Sequence, residues 1–220
     1  MVRKECRCFV AGDVGIEMSL LKDLTVGTLV SRLVAMLFFS AVLGIVMALL
    51  AKLMGDRRPQ FAGRLTINPF SHVAVPGMLV AAVFGMGWIR TMRFDVTENR
   101  WGVAGVLLVA VAGLLLTALT IPLVDPLRNL AVATLPPTGG YAVVYTLIQY
   151  QQVALASCLL NLLPIPGLAC GVIWPAVWPG REKRINRYEA IALGVLAAAI
   201  VSGILGNPAP ALLPYFSALA

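Results

Sequence analysis

Asn161-Leu162-Leu163-Pro164-Ile165-Pro166-Gly167-Leu168-Ala169-Cys170-Gly171 lies in the middle of the longest uncharged stretch of the chain, residues 129–180. Two prolines one residue apart cannot continue a helix, because each lacks an amide N–H and each restricts the residue before it. In so apolar a setting the backbone groups released by the break need cover from protein or from a water-lined cavity. The stretch therefore predicts a helix broken at membrane depth, and it marks where a site should be sought.

Working outward, the composition agrees with a bilayer setting. Of 220 residues 60% are hydrophobic and 12% charged, with a mean hydropathy of +0.89, which excludes an ordinary soluble domain. Uncharged runs fall at 33–51, 65–89, 101–124, 129–180 and 190–220, and a span needs about 20 apolar residues. The reading is an all-α polytopic membrane protein with about five transmembrane helices, a short hairpin or re-entrant segment after the first, and the Pro-broken helix at 161–171. The domain division is an N-terminal cytoplasmic or interfacial segment (1–27), a transmembrane domain (28–205) and a C-terminal tail (206–220).

In chain order, residues 1–27 mix acids and bases with apolar residues that could lie on the bilayer as a short amphipathic helix. No short apolar stretch with a small-residue cleavage site precedes the first span, so no cleaved signal peptide is expected. Spans are expected at about 29–51, with Arg32 and Lys52 snorkelling at its ends, and then at 71–89, spanning or re-entrant. Further spans follow at 101–124, 141–163 and 189–205. The alternation at Leu65-Thr66-Ile67-Asn68, closed by Pro69, suggests a short strand or hairpin. Trp88, Trp101, Trp174 and Trp178 are expected at membrane interfaces.

The net charge of +7 gathers in short loops, as membrane topology requires, rather than on a soluble basic face, so no nucleic-acid partner is expected. An N-terminus inside gives five spans and a C-terminus outside. The loop with Lys52, Arg57, Arg58 and Arg64 then sits on the wrong side, unless 65–89 is re-entrant and the first span is reversed. Cys158 and Cys170 lie within apolar sequence and read as buried free thiols, and with Cys6 and Cys8 they spell neither a disulfide framework nor a zinc set.

Gly63-Arg64-Leu65-Thr66-Ile67-Asn68-Pro69-Phe70-Ser71-His72-Val73 resembles the GRLTLNPxxHI stretch of the short bacterial site-2 proteases, which are intramembrane zinc metalloproteases. Gly55-Asp56 resembles the Gly-Asp before it, and Phe84-Gly85-Met86-Gly87-Trp88 the FGW element after it. Asn161 to Pro166 resembles the start of NLLPIPPLDG, and order and spacing agree over residues 40–180. The resemblance implies that fold, and also two histidines and a glutamate in His-Glu-x-x-His with a later aspartate as the third zinc ligand. The matching positions here are Leu43, Gly44, Met47 and Ala169, with Cys170 in place of the glycine. All four chemical groups are missing and the chain has one histidine, so no catalytic residue and no zinc are expected.

The remaining candidates are groove or partner residues. His72 is read as a satisfied interfacial histidine rather than a ligand or proton-handling group. Asn161 matches a family position that helps orient substrate backbone; by its place it would tie up carbonyls freed by Pro164 and Pro166. Gln149 and Gln152 share a helix face beside Tyr145, Tyr150 and Gln151 and suit a helix-to-helix contact. Asn68 and Cys170 complete the set. The expectation is an inactive, site-2-protease-like integral protein of a bacterial inner membrane, an accessory or structural subunit of a larger complex. The old groove would hold a partner helix, a lipid or a pigment tail. The alternative is an active peptidase with an unorthodox site that uses Cys158 or Cys170 as nucleophile and His72 as base. A transporter would need ionisable groups within the spans.

Overall fold

The computed structural model describes residues 25–217; most of the N-terminal segment, including Cys6 and Cys8, lies outside the described residues. The described chain is helical. Helix α1 (Val26–Leu53) is followed by a short α2 (Arg58–Phe61), a 3-10 turn at Pro69–Ser71 and α3 (Val75–Phe84). Then come α4 (Gly102–Ala118), α5 (Thr120–Thr134) and α6 (Pro137–Asn161), a 3-10 turn at Cys170–Val172, α7 (Ile173–Val177), α8 (Glu182–Val201) and α9 (Ala209–Ser217).

Among the described residues three helical runs are long and apolar enough to cross a membrane: Val26–Leu53, Gly102–Thr134 and Gly139–Asn161. The second, at 33 residues, would be roughly 50 Å if straight, longer than the roughly 30 Å hydrocarbon core. Its helical pattern is interrupted at Leu119, where α4 gives way to α5, and Pro122 supplies no N–H for the Ala118 carbonyl there. Helix α1 is central and packs against α6, α4 and α3. Ala35, Met36, Phe39, Leu43 and Met47 form its fully buried stripe, at the three- and four-residue spacing that keeps one helix face inward.

Contacts along α1 reveal the path of the chain. Helix α4 runs antiparallel to α1, since Arg100 N–H donates to the Met54 carbonyl at 2.9 Å while Gly113 lies against Met47. Helix α6 runs back parallel to α1, with Tyr145 Oη 2.8 Å from Thr28 Oγ1 near its start. Between α1 and α4 the chain dips into the bundle and returns. From the turn at Asn68 it reaches His72 beside Gly44 in mid-α1. It then follows α3 until Val83 meets Arg32, and turns at Gly85, whose φ of 70° suits a residue without a side chain. It comes back extended, with Arg90 N–H donating to the His72 carbonyl at 2.7 Å. Residues 65–90 thus enter the bundle and leave it on the same side, a re-entrant path within the protein.

Several expectations change. Where about five spans were expected, three runs among the described residues have the length and apolarity of one; α8 opens with charged Glu182, Lys183, Arg184 and Arg187, and α3 has only 10 residues. No hairpin forms at Leu65–Asn68. Asn68 instead caps the next turn, its Oδ1 accepting from Phe70 N at 3.1 Å, and the extended pairing among the described residues is one bridge, Val73 with Ile89. Arg32 is tied to neighbouring segments: it donates to the Val83 carbonyl at 2.7 Å and to Gln149 Oε1 at 3.3 Å. Trp88 is a core residue, 1% exposed, because the re-entrant return carries it inward. The tail forms α9, packed on α6 and α5.

At the end where α1 finishes, the buried carboxylate of Asp56 ties two loops together. Its Oδ1 accepts from Arg58 N at 2.9 Å and its Oδ2 from Asp95 N at 2.7 Å. Burial pushes this carboxyl above its ordinary range, while the two backbone donors act against that shift.

The dip is closed by direct backbone contact. A Cβ on Gly77 would overlap the Trp88 carbonyl, and one on Gly87 would overlap the Gly77 carbonyl. Gly77→Ala is therefore expected to destabilise the fold by about 1–3 kcal/mol, the range for forced overpacking, read as a lower unfolding midpoint in detergent. Gly139→Ala, at a helical position with open space around it, should not lower the midpoint, since alanine is the better helix former.

Candidate functional site

Leu43, Gly44 and Met47 fall on the buried face of α1, and what surrounds them is packed side chain. Gly113 on α4 provides room for the first and last: a Cβ there would stand 2.7 Å from Met47 Cγ and 3.8 Å from Leu43 Cδ1. The space beside Gly44 holds the imidazole of His72, and a Cβ on Gly44 would overlap Nδ1 and Cγ of that ring. His72 is fully buried. Its Nε2 lies 3.0 Å from the Thr66 carbonyl, which can only accept, so Nε2 carries the proton. Nδ1 is buried with no hydrogen-bond partner.

Asn161 is the polar hub at the break. Its Nδ2 donates to the Gly87 carbonyl at 3.1 Å and to the Ser157 carbonyl at 2.8 Å, and its Oδ1 accepts from Ala169 N at 3.4 Å. Ser157, one turn earlier on α6, accepts the Gly87 N–H through Oγ at 3.0 Å. One face of α6 thereby satisfies both polar groups of Gly87 in the re-entrant return and the amide of Ala169 after the proline break. The break is closed by contact too: Gly171 lies against the Ile165 carbonyl, where any Cβ would collide. Ala169 and Cys170 are both 3% exposed. A cavity of about 40 Å³ remains beside Pro166, Gly167 and Gly171, enough for a water or two rather than a substrate strand.

The other candidates disperse. Gln149 and Gln152 line an open cleft of about 630 Å³ with Thr28, Arg32 and Tyr145, at the start of α1. Pro164 is exposed, and its carbonyl accepts from Trp174 Nε1 at 2.7 Å. Asn68 is exposed at its capping position. Cys158 and Cys170 are free and buried, and the Cys158 thiol donates to the Leu114 carbonyl at 3.8 Å. With Nε2 of His72 on Thr66 and Nδ1 without a partner, neither ring nitrogen reaches a thiol. The nucleophile–base pair that cysteine chemistry requires is not assembled. Among the described residues no three His, Cys, Asp or Glu side chains stand together as a metal site.

Reading from sequence had missed Ser157 and Gly87 as members of the Asn161 network. The i, i+4 spacing of Ser157 and Asn161 was the available signal, since it puts both on one helix face. The partner Gly87, 74 residues away from Asn161, has no local signature. No family model, curated protein or solved structure matches the chain.

The His72 pocket makes stability depend on pH. Burial holds the imidazole below its ordinary value, the Thr66 hydrogen bond acts against that, and the charge of Arg64 adds to it. The unfolded chain titrates near 6.5 and so takes up the proton first as pH falls. The stabilisation is complete above that pH and is lost progressively below it. Unfolding midpoints measured from pH 7.5 to 5 should fall in the native protein, and His72→Gln should flatten the profile. Gly44→Ala, which has to displace the ring, should cost about 1–3 kcal/mol at neutral pH.

Proposed function

We propose that this chain is a catalytically inactive, site-2-protease-like integral membrane protein that serves as a structural or accessory subunit of a larger membrane complex. The observation that carries the reading is the filling of the position matching the catalytic glutamate: Gly44 has no side chain, and the His72 ring stands in the space one would need. Of the residues matching the metal ligands, Leu43 and Ala169 offer no donor atom and Met47 offers only a thioether, a soft donor foreign to zinc sites of nitrogen, oxygen and thiolate ligands; all three are buried among apolar neighbours. A protease site requires an open coordination position and a water. Densely packed leucine, methionine and alanine side chains suit a core whose task is to hold shape. No zinc is assigned. The partners in this reading are other transmembrane subunits and lipids, with lipid or pigment tails as occupants of the protein's outer grooves.

The charge distribution supports an orientation. The loops at 52–64 and 90–100, with the segment 181–189, carry 11 of the 17 Lys and Arg residues, and Asp56 and Arg100 bring the first two together. Under the positive-inside bias this end faces the cytoplasm of a bacterial inner membrane. With residues 65–90 returning to the side they enter from, the three long runs cross, and the shorter α8 carries the chain back until Asn207 donates to the Phe84 carbonyl, so that residues 25 and 217 lie on the outer side. This is the reversed first span, in place of five crossings from an inner N-terminus.

The test is the native mass and subunit content of the protein extracted in mild detergent from its source membrane. A stoichiometric assembly with other membrane subunits is the expected result. A lone 23.4 kDa species would overturn the subunit reading.

A further inference from the structure

At the basic end of the bundle, loops 54–64 and 90–100 meet the start of α8 around an open basin of about 630 Å³. Arg58, Arg64, Arg90 and Arg93 bound it, with Glu189 at its edge. One of the four cations is neutralised internally. Arg58 pairs with Asp95 at 2.6 Å, and the Glu189 carboxylate accepts the Thr91 hydroxyl. Arg64 donates to the Ser71 carbonyl, a neutral acceptor. Arg90 and Arg93 make no ion pair among the described residues. Burial, and then the like charge of Arg90, pulls the Arg64 guanidinium below its ordinary value. Several guanidinium forks facing one basin match the oxygens of a phosphate, which each can hold with two hydrogen bonds.

A second cavity begins at the same glutamate. It occupies about 400 Å³ and is lined by Glu189, Leu193 and Ala197 along one face of α8, by Gly194, and by Pro76 and Trp88 of the re-entrant segment. Below Glu189 this lining is apolar. Since α8 runs away from the basic end, the groove leads from the arginines toward the level of the long apolar helices. A basic pocket at headgroup depth continuing into an apolar groove is complementary to one class of molecule.

We propose that the arginine basin and the adjoining α8 groove bind an anionic phospholipid, its phosphate among Arg64, Arg90 and Arg93 and an acyl chain along Leu193, Gly194 and Ala197. This site rests on the helices lying in a bilayer and is independent of any kinship with proteases. Phosphate is the recognised chemistry, and the groove selects a lipid over a soluble phosphate compound.

The experiment is native mass spectrometry of the full-length protein in mild detergent, titrated separately with phosphatidylglycerol, phosphatidylcholine and inorganic phosphate. Phosphatidylglycerol should bind at least tenfold more tightly than phosphatidylcholine, and inorganic phosphate should show no binding at the same concentrations. The double variant Arg90→Ala/Arg93→Ala should weaken phosphatidylglycerol about tenfold or more for each arginine lost. Both side chains are exposed, so its unfolding midpoint should match the native one. Gly194 has nothing within 4 Å of an added Cβ, so Gly194→Leu should fold normally, fill the groove and weaken the lipid as well. Equal affinity for the two lipids, or an unchanged affinity in the arginine variant, would overturn the site. Inorganic phosphate binding as tightly as phosphatidylglycerol, or lipid binding indifferent to Gly194→Leu, would overturn the lipid as its occupant.

Discussion

Non-helical backbone inside an apolar bundle must find partners within the protein, and in this chain one turn of α6 supplies them. Ser157 and Asn161 take the N–H and C=O of Gly87 and reach the amide of Ala169. Each buried polar group left unpaired would cost about 1–3 kcal/mol, so these four residues hold two breaks that could not otherwise exist at that depth. The re-entrant return and the proline break depend on the same pair of side chains. They are therefore coupled, although 74 residues separate Asn161 from the Gly87 carbonyl that it binds.

With the two breaks fixed, glycines decide how closely segments approach. Gly77 and Gly87 let the arms of the dip touch backbone to backbone, Gly171 lets the chain after the prolines fold back on Ile165, and Gly113 receives Met47. Gly44 belongs to the same set, because the absence of its side chain admits His72 to the middle of the bundle. On the proposed reading this is also how an active site becomes core. A position suited to a catalytic carboxylate has been given up to a neutral ring whose proton lies on Nε2, at the Thr66 carbonyl. Dense packing then removes the space that water and substrate would need.

How much of this was legible in the sequence depends on whether the signal was local. Pro164 and Pro166 announced the break, since proline chemistry acts within a few residues; Asn161 was read as holding carbonyls that they free, whereas its amide holds the Gly87 and Ser157 carbonyls and the Ala169 N–H. The three long helices were legible from apolar length. The role of 71–89 was not settled by length, because an apolar run with Pro76, Gly77, Gly85 and Gly87 suits either a span or a dip. What decides it is pairing between Gly77 and Trp88 and between Arg32 and Val83, which no periodicity records. Trp88 and Arg32 were misplaced for the same reason: each looked like an interfacial anchor from its place near the end of an apolar run, and the turn at Gly85 brings one into the core and gives the other a carbonyl to hold.

The dip also accounts for where the charge sits. Entering and leaving on one side, residues 65–90 bring Arg64 and Arg90 together instead of placing them on opposite faces of the bilayer, and Asp56 pins the loop carrying Arg58 to the segment carrying Asp95. A straight span would have separated these guanidinium groups by the thickness of the hydrocarbon core, about 30 Å, and largely screened them from one another. Gathered instead at one end of the bundle, they repel, and among the described residues only Arg58 of these is answered by an acid. The geometry that closes the protein's centre thus leaves an electrostatic demand at its edge. That demand is met most simply by an anion from outside the chain, and the apolar face of α8 beside it restricts which anions suffice.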